Sequence, residues 1–232
     1  MTASVTPATS VSAPQNFVIN PAPALLAAPV IEALQGIVVS HLSDNLQRLS
    51  GVRGLQRIHP SKKLVGTAFT VKTRPGDNLV IYKALMMLQP GHVLVVDGGG
   101  DTSNALVGEL IMLYAQQRGC AGFVLDAAVR DSAAFVAADF PCYARAVNHR
   151  GPYKNGPGQI NVPVTVGGQV IEPGDVIVGD EDGIVAFAPA QADSLIAAAA
   201  KTAAFEDAIK AEIANGKVEQ AWLARTLTPF GL

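Results

Sequence analysis

Residues 108–131 read GELIMLYAQQRGCAGFVLDAAVRD, and their pattern is that of a helix followed by a buried strand. Leu110, Leu113 and Tyr114 recur at helical spacing, whereas segment 122–126 has the length and composition of a core strand. A helix and a strand that run back to back are the repeating unit of an α/β fold. This stretch therefore predicts a layered α/β protein.

The two ends of this stretch carry charged residues of the kinds that bind ligands or metal ions in active sites. Glu109 stands at the predicted start of the helix, and Arg130 and Asp131 follow the strand after twenty intervening residues. These residues are expected at one edge of the sheet, where α/β folds place ligands. Free N–H groups of a helix favour an anion, and paired carboxylates favour a hard divalent cation. The pattern predicts metal-assisted chemistry on a small carboxylic acid; a structural ion pair is the alternative.

Several separated motifs resemble one known family. They are, in chain order, Pro75-Gly-Asp-Asn78, Gly108-Glu109, Arg130-Asp131, Asn161-Val-Pro163, and Pro173-Gly-Asp-Val-Ile-Val178 followed by Asp182-Gly183. Together they resemble the metal-dependent class II pyruvate aldolases that cleave 4-hydroxy-4-methyl-2-oxoglutarate and 4-carboxy-4-hydroxy-2-oxoadipate. The same superfamily contains the RraA regulators of ribonuclease E. The resemblance, over residues 36–215, implies a layered αββα sandwich of the RraA-like type, assembled as a homotrimer or homohexamer.

The resemblance also implies how the reaction proceeds. Asp131 is expected to bind Mg²⁺ or Mn²⁺ directly, and Glu109 to reach the metal through water. Arg130 is expected to hold the carboxylate and keto oxygen of the pyruvoyl group, for which a planar guanidinium is suited. The metal stabilises the enolate, so no Schiff-base lysine is needed, and none occurs between Lys83 and Lys154. Oxaloacetate decarboxylation passes through the same enolate and is expected as a side activity.

Further site residues are implied by the same resemblance. The substrate carboxylate is expected to meet the backbone N–H groups of Gly108, Glu109, Leu110 and Ile111. Asn78 is expected to face the substrate, although Pro-Gly-Asp before it also suits a plain turn. Glu206 is the best match for an acidic residue that family sites borrow from the C-terminal helix of an adjacent subunit, to bind the metal. A solvated helix charge is the alternative for Glu206. The expected substrate is a small 2-oxo dicarboxylic or tricarboxylic acid.

One position departs from the family pattern. Many members have Glu or Gln three residues after the Arg-Asp pair, whereas this chain has Ala134. Alanine cannot position water, so the departure bears on the second proton transfer and on the usual substrate. The chief rival function is a non-enzymatic, RraA-type regulator that binds ribonuclease E. Glu109 and the extended C-terminus favour an enzyme. A metal-dependent lyase or hydrolase on another 2-oxo acid is the third hypothesis.

The rest of the chain predicts one domain with an N-terminal arm. Residues 1–24, rich in Thr, Ser, Ala and Pro, predict a flexible arm, and residues 25–232 predict a single domain with C-terminal helices in subunit contacts. The predicted elements are a helix over 29–49, a strand over 64–73, a helix over 79–88, strands over 92–97 and 141–147, hairpins over 160–188 and a helix over 190–215.

Other polar residues leave two interpretations open. His41 and Asp44 are either metal ligands or a satisfied polar group and a helix cap. His149, Arg150 and Lys154 either bind a second carboxylate of the substrate or are solvated loop charges.

Glycines after the 92–97 strand do not predict a nucleotide site. Ser103 stands where the third glycine of GxGxxG would fall, which argues against a dinucleotide. The glycines instead let backbone approach a small ligand or a loop. Asp97 and Asp101 are then expected to hydrogen-bond that loop.

Composition excludes several function classes. The chain has 232 residues, 49% of them hydrophobic, and a net charge of −2. Its 17 Lys and Arg residues are scattered, so no basic face predicts binding to nucleic acid or to an anionic membrane. Cys120 and Cys142 lack metal-ligand spacing and a disulfide pattern, and no export signal is visible. We expect a cytoplasmic protein without nucleic-acid or membrane partners.

Overall fold

The computed structural model describes residues 17–232. Its helices are α1 (Ala28–Gln35), α2 (Val39–Asn45), α3 (Leu79–Met87), α4 (Glu109–Gln117), α5 (Ser132–Ala138), α6 (Ala192–Ala214) and α7 (Ala221–Leu227). Its strands are β1 (Val18–Ile19), β2 (Gln56–Arg57), β3 (Leu64–Thr73), β4 (His92–Asp97), β5 (Ala105–Val107), β6 (Gly122–Val129), β7 (Cys142–Val147), β8 (Gly158–Ile160), β9 (Val164–Val166), β10 (Gln169–Ile171), β11 (Val176–Gly179) and β12 (Ile184–Phe187).

The main sheet has a parallel centre. Its strand order is β1-β8-β3-β4-β6-β7-β2, and β3, β4, β6 and β7 are mutually parallel. Helices α3, α4 and α5 provide the crossovers that parallel neighbours require. The carboxyl ends of the central strands therefore lie at one edge, beside the N-termini of the crossover helices.

Alternate residues of the central strands face two different cores. On β4, Leu94 and Val96 pack with α3, α4 and α5 in one cluster, whereas Val93 and Val95 pack against the β9–β12 layer. Successive side chains of a strand point to opposite faces, so a strand that is apolar throughout is covered on both sides.

The second β-layer is also covered on both sides. On β11, Ile177 faces the main sheet, whereas Val176 and Val178 pack with α1, α2 and α6. The order of layers is thus helices, sheet, sheet, helices. The α/β class and the αββα sandwich predicted for the chain are confirmed.

The long helix predicted over residues 29–49 is instead two helices. Helix α1 ends at Gln35, and α2 begins at Val39. The buried Asp180 carboxylate accepts a hydrogen bond of 2.7 Å from Val39 N, which satisfies a free N–H at the start of α2. The acceptor lies 141 residues away, so local periodicity did not reveal this break.

The N-terminal arm predicted over residues 1–24 falls in two parts. Residues 1–16 lie outside the described residues. Val18 and Ile19 form β1, which pairs in parallel with β8, and Asn20 Nδ2 donates to Asn161 O at 2.9 Å. The chain thus joins the main sheet before residue 25. Within the part of the chain that the structure describes, no helix combines the length and hydropathy needed to cross a bilayer.

Candidate active site

The two ends of the 108–131 stretch meet through backbone hydrogen bonds. Strand β6 continues to Val129, three residues past its predicted end, and leads directly into Arg130. Arg130 N donates to Val107 O at 3.0 Å, and Glu109 N donates to Asp131 Oδ2 at 3.0 Å. Arg130 and Asp131 therefore lie at the N-terminus of α4.

Asp131 combines an unusual backbone with an accessible side chain. Its φ of 56° and ψ of 39° are left-handed, a region that Asp tolerates better than most residues. Arg130 Nε lies 3.5 Å from Asp131 Oδ2, and both side chains are a little more than two-fifths exposed. A ligand in solution can therefore reach the guanidinium and the carboxylate.

Gly108 is required by this close approach. A Cβ at position 108 would lie 2.5 Å from Asp131 Oδ2 and 2.8 Å from Arg130 Cγ, both shorter than real contacts. The φ of Gly108 is −153°, so the glycine is favoured by steric space and not by its backbone conformation: a Cβ here would displace the Arg130 and Asp131 side chains. The glycine of the Gly108-Glu109 motif is thus explained by the steric space at this position.

Five of the predicted substrate-binding residues line one cleft of about 130 Å³. They are Asn78, Gly108, Leu110, Ile111 and Arg130. Of the predicted backbone donors, Glu109 N is already bonded to Asp131. Leu110 N and Ile111 N donate no hydrogen bond within residues 17–232, so they are the free N–H groups of the first turn of α4.

Asn78 forms a second wall of the cleft. Its side chain is almost completely buried, and Nδ2 donates to Leu106 O at 2.8 Å. That bond orients the amide, because only the nitrogen can donate to a carbonyl. Asn78 Oδ1 is buried and has no hydrogen-bond partner among the described residues. A buried acceptor without a donor costs about 1–3 kcal/mol, which a donor from a ligand or water would offset.

Asp77 holds the long loop against this wall. Its fully buried carboxylate accepts hydrogen bonds from Leu79 N at 2.9 Å, Asn155 N at 2.7 Å and Gly156 N at 3.0 Å. The start of α3 and loop 148–157 are thereby tied to one side chain. The residue pattern alone did not predict this role for Asp77; the available signal was an acidic residue just before the start of a helix.

Loop 148–157 brings one basic side chain, Lys154, to the cleft. Lys154 lines it, and its Nζ lies 5.9 Å from the ring centroid of Tyr82. Arg150 lies on the same loop, where its carbonyl accepts from Ala105 N at 2.8 Å.

Glu206 takes a different partner within its own chain. Its carboxylate lies 3.0 Å from His41 Nε2 and 3.6 Å from Lys210 Nζ. The hydrogen bond from His41 is the largest cause that lowers the pKa of Glu206. Glu206 does not line the cleft of its own chain. Asp44 pairs with Arg48 at 2.9 Å, so His41 and Asp44 each have a side-chain partner other than a metal.

The acidic residues at the site suit a hydrated hard cation better than a metal ion enclosed by protein ligands. Within residues 17–232 no group of three or more His, Cys, Asp or Glu side chains is placed to hold a metal ion. Asp131 Oδ1 accepts no hydrogen bond from the described residues, and Glu109 is exposed in the first turn of α4. Mg²⁺ commonly takes one or two carboxylates and completes its shell with water and substrate oxygens. The residues present therefore fit Mg²⁺ or Mn²⁺.

Helix α4 buries a different face from the one that its spacing suggested. Ile111, Met112 and Ala115 are buried, whereas Leu110 is 79% exposed. Leu113 and Tyr114, which the helical pattern also singled out, are exposed as well. Leu110 therefore lines the cleft, and Leu113 and Tyr114 are exposed on the surface of α4 instead of filling the core.

Ala134 lies on the core side of α5. It is partly buried and packs against the cluster formed by α3, α4, α5 and the sheet. At position 134, where the family pattern has Glu or Gln, this chain thus places a small side chain against apolar neighbours.

The glycine loop after β4 has local structural roles. Asp97 Oδ1 accepts from Gly99 N at 3.0 Å, and Asp101 Oδ1 accepts from Ser103 N at 3.0 Å. A Cβ at Gly98 would lie 2.9 Å from Ala127 Cβ, so this glycine permits close packing of two strands. The hydrogen-bonding roles predicted for Asp97 and Asp101 are confirmed.

Comparisons with known proteins agree with this architecture. The model of a family described as RraA-like, Aldolase/RraA, matches residues 39–186. A protein of Halalkalibacterium halodurans named "Putative 4-hydroxy-4-methyl-2-oxoglutarate aldolase" is 34% identical over 201 residues, which span 86% of this chain and 96% of that protein.

Solved structures give the same result. An uncharacterized protein from Pseudomonas syringae pv. tomato has a TM-score of 0.77 and 25% identity, with 94% of this chain and 99% of that chain covered. The RNA-processing inhibitor RraA from Thermus thermophilis has a TM-score of 0.60 and 29% identity, with 66% and 92% covered. The resemblance of the separated motifs is thereby confirmed: this chain belongs to the RraA-like family and groups with its aldolase subfamily.

Proposed function

We propose that this protein is a divalent-metal-dependent pyruvate aldolase. It cleaves 4-hydroxy-4-methyl-2-oxoglutarate or a related 4-hydroxy-2-oxo acid and releases pyruvate. The observation that carries the proposal is the placement of Arg130 and Asp131 at the N-terminus of α4, through the 3.0 Å bond from Glu109 N to Asp131 Oδ2. Arg130 and the first turn of α4, with its free N–H groups, thus line the cleft, and the Asp131 carboxylate lies beside Arg130. The name of the H. halodurans relative supports the same activity.

Asp131 would hold Mg²⁺ or Mn²⁺ directly, and Glu109 would reach the ion through water. When bound, the ion supplies Lewis-acid stabilisation of the enolate charge that develops as the C3–C4 bond breaks. Arg130 donates to the carboxylate and keto oxygen of the pyruvoyl group, since its planar fork matches two acceptors. Leu110 N and Ile111 N add two donors at the positive end of the α4 dipole.

The remaining roles concern the C4 hydroxyl of the substrate. Glu109 is exposed in the first turn of α4, and its carboxylate assists removal of the C4-hydroxyl proton. Asn78 faces the bound substrate and uses its unpartnered Oδ1 to accept a hydrogen bond from it. Oxaloacetate decarboxylation leaves the same enolate, so it follows as a side activity.

The active site is completed in a homo-oligomer, a trimer or a hexamer. Exposed apolar side chains support this part of the proposal: Tyr82, Met86, Leu110, Leu113 and Tyr114 lie on α3 and α4, and Phe205, Ile213, Trp222, Leu223 and Leu227 lie on α6 and α7. Contiguous exposed apolar surface marks protein–protein contacts. In such an assembly, Glu206 of α6 would add an acid to the metal site of a neighbouring subunit. A cytoplasmic location agrees with the two buried, unpaired cysteines.

The proposal is tested by the release of pyruvate from 4-hydroxy-4-methyl-2-oxoglutarate and from oxaloacetate, with Mg²⁺ or Mn²⁺ and with EDTA. Metal-dependent turnover of the first substrate, lost in Arg130→Ala, is the expected result. Arg130→Lys keeps the charge without the planar fork and should recover little of the loss. Turnover of oxaloacetate alone would indicate a metal-dependent lyase for another 2-oxo acid.

A second candidate function is an RraA-type regulator of ribonuclease E. The similarity to the Thermus thermophilis inhibitor, over 92% of that chain, favours it. A pull-down with ribonuclease E separates the two functions, because an aldolase has no need to retain that partner. Capture of ribonuclease E without any lyase turnover would support the regulator.

A further inference from the structure

We propose that Asn104 is a positioning residue of the proposed active site. It acts through Gly151, whose backbone it holds beside the guanidinium of Arg130. This inference rests on the proposed aldolase function and deepens it, because the direction of the Arg130 fork decides how the carboxylate and keto oxygen of the pyruvoyl group are bound. Asn104 itself does not line the cleft.

The outer end of Arg130 is held weakly by its nearest charged neighbour. Nε lies 3.5 Å from Asp131 Oδ2, and the Arg130 side chain is partly exposed. Within residues 17–232, the two terminal nitrogens of the guanidinium donate no hydrogen bond. Such a side chain keeps rotamer freedom that it must lose when it binds an anion, so a wall that limits its movement favours binding.

Gly151 supplies that wall. A Cβ at position 151 would lie 3.3 Å from Arg130 Nη1, and both residues line the cleft. Apart from the chain neighbours of Gly151, Arg130 is the one described residue that this Cβ would approach within 4 Å. The φ of Gly151 lies outside the left-handed region, so its backbone alone does not require a glycine. The backbone of the loop therefore lies directly against the guanidinium.

Asn104 fixes the position of Gly151. Its Nδ2 donates to Gly151 O at 2.6 Å, and the next residue, Ala105, donates its N–H to the preceding carbonyl of the loop at 2.8 Å. Ala105 begins β5, which pairs with β6. At its other end, β5 accepts the N–H of Arg130 at Val107 O. The same short strand thus holds the backbone of Arg130 and the wall beside its side chain.

The rest of loop 148–157 is attached independently of Asn104. Asn148 Nδ2 donates to Thr102 O at 2.7 Å and to Ser103 O at 3.0 Å, at the start of the loop. The buried Asp77 carboxylate accepts from two backbone N–H groups near the other end. Loss of the Asn104 amide therefore frees the loop at one point only.

Asn155 gives a matched control. It lies on the same loop and is exposed, and its side chain makes no hydrogen bond within residues 17–232. Asn155→Ala removes the same atoms as Asn104→Ala without a contact to Gly151. The Asn104 bond is also exposed, so the melting temperature should stay near wild type in both variants.

The first test is a double-mutant cycle on the binding of oxalate, an analogue of the pyruvate enolate, to the Mg²⁺-loaded protein. Asn104→Ala should raise the Kd about tenfold in wild type but less than about twofold in Arg130→Lys, since a residue that acts through the planar fork has no effect once the fork is absent. Asn155→Ala should change neither value. Equal losses in both backgrounds, an equal loss in Asn155→Ala, or an unchanged Kd in Asn104→Ala would overturn the proposal.

The second test does not need a functional aldolase. Phenylglyoxal modifies accessible arginine side chains, and peptide mass spectrometry gives the modification rate of Arg130 alone. The rate should rise severalfold in Asn104→Ala, in which the wall beside the guanidinium is free to move, and stay at the wild-type value in Asn155→Ala.

This measurement separates the positioning role from the aldolase function. If wild type turns over no 4-hydroxy-2-oxo acid, the proposed function fails. A raised modification rate of Arg130 in Asn104→Ala would still sustain the positioning role, and the same rate in wild type and Asn104→Ala would remove it.

Discussion

The backbone N–H of Glu109 donates to the carboxylate of Asp131 across 3.0 Å, although 22 residues separate them in the chain. This bond places a negative charge at the N-terminus of α4, where the helix dipole stabilises it. It also leaves Asp131 Oδ1 free for another partner. One carboxylate thus joins the helix to the end of β6 and remains available to a ligand.

Asp131→Asn separates these two roles. Asparagine keeps an oxygen that can accept from Glu109 N, but it removes the charge that a divalent cation requires. We expect melting temperature and oligomeric state to stay near wild type, while Mg²⁺ or Mn²⁺ affinity and lyase turnover fall by about 100-fold or more. Isothermal titration with Mn²⁺ and a pyruvate-release assay measure both effects. Undiminished Mn²⁺ binding in Asp131→Asn would remove Asp131 from the metal site.

Gly108→Ala tests the close approach at the motif. The new Cβ would meet Asp131 Oδ2 at 2.5 Å and Arg130 Cγ at 2.8 Å, so both catalytic side chains must shift. A displacement of about 1 Å at a reacting site can cost about 100-fold in rate, and we expect kcat/KM to fall by that order. Gly36→Ala is the control, because its Cβ would have an ordinary contact of 3.7 Å with Ala33 O. Wild-type turnover in Gly108→Ala would show that the motif tolerates a side chain.

Asp77→Ala tests the buried anchor of loop 148–157. It removes the acceptor of three backbone N–H groups: the Gly156 bond is buried, and the Leu79 and Asn155 bonds are partly buried. An unsatisfied buried donor costs about 1–3 kcal/mol, so we expect urea denaturation to report a loss of about 2 kcal/mol. The folded fraction should show a raised KM, because the loop that borders the cleft is released. Asp207→Ala, at an exposed position on α6, should change stability little. A raised KM without any loss of stability would contradict the anchoring role.

Asp139 gives stability a dependence on acid pH. Hydrogen bonds from the Ser61 hydroxyl, Ser61 N and Lys62 N lower the pKa of Asp139 to about 2, from 3.8. Because the folded-state pKa is depressed, the stabilisation is complete above pH 3.8 and disappears as the pH falls through 2. Asp139→Asn should therefore be less stable than wild type at pH 7, with a difference that shrinks toward pH 2. Denaturant titrations at several pH values measure this difference, and a gap that does not change with pH would exclude ionisation as its cause.

Glu109→Gln tests the exposed acid in the first turn of α4. The backbone bond from residue 109 to Asp131 does not involve the side chain, so the fold and the placement of Asp131 should persist. We expect kcat to fall by about 100- to 10,000-fold, the usual range for one general acid–base group, with a smaller change in KM. Unchanged kcat would remove Glu109 from proton transfer.

Parts of the fold follow from local patterns alone. The bounds of β3 and β4 agree with the strands predicted from continuous apolar runs, and α3 begins at Leu79 as the Pro-Gly-Asp turn predicts. These elements are buried on both faces or begin at a strong turn, so neighbouring residues carry enough information. Strand β6 was predicted too short because Ala127 and Ala128 have little preference for strand.

The burial of α4 depends on its neighbours. The outer apolar residues Leu110, Leu113 and Tyr114 have the same periodicity as the inner set of Ile111, Met112 and Ala115. A helix that is apolar on two faces gives no local signal of which face meets the sheet. The crossover between β5 and β6 decides the orientation.

The sequence by itself determined the layered α/β architecture, the family, and the motif residues Gly108, Glu109, Arg130 and Asp131. Periodicity and motif spacing are properties of short segments, so they can be read without coordinates. Only the tertiary structure decided that Asp77 anchors the loop, that Glu206 pairs with His41 in its own chain, and that Lys154 shares a cleft with Arg130. Each of these contacts joins residues far apart in the chain, and the free energy that selects them comes from packing and hydrogen bonds that form only when the layers assemble.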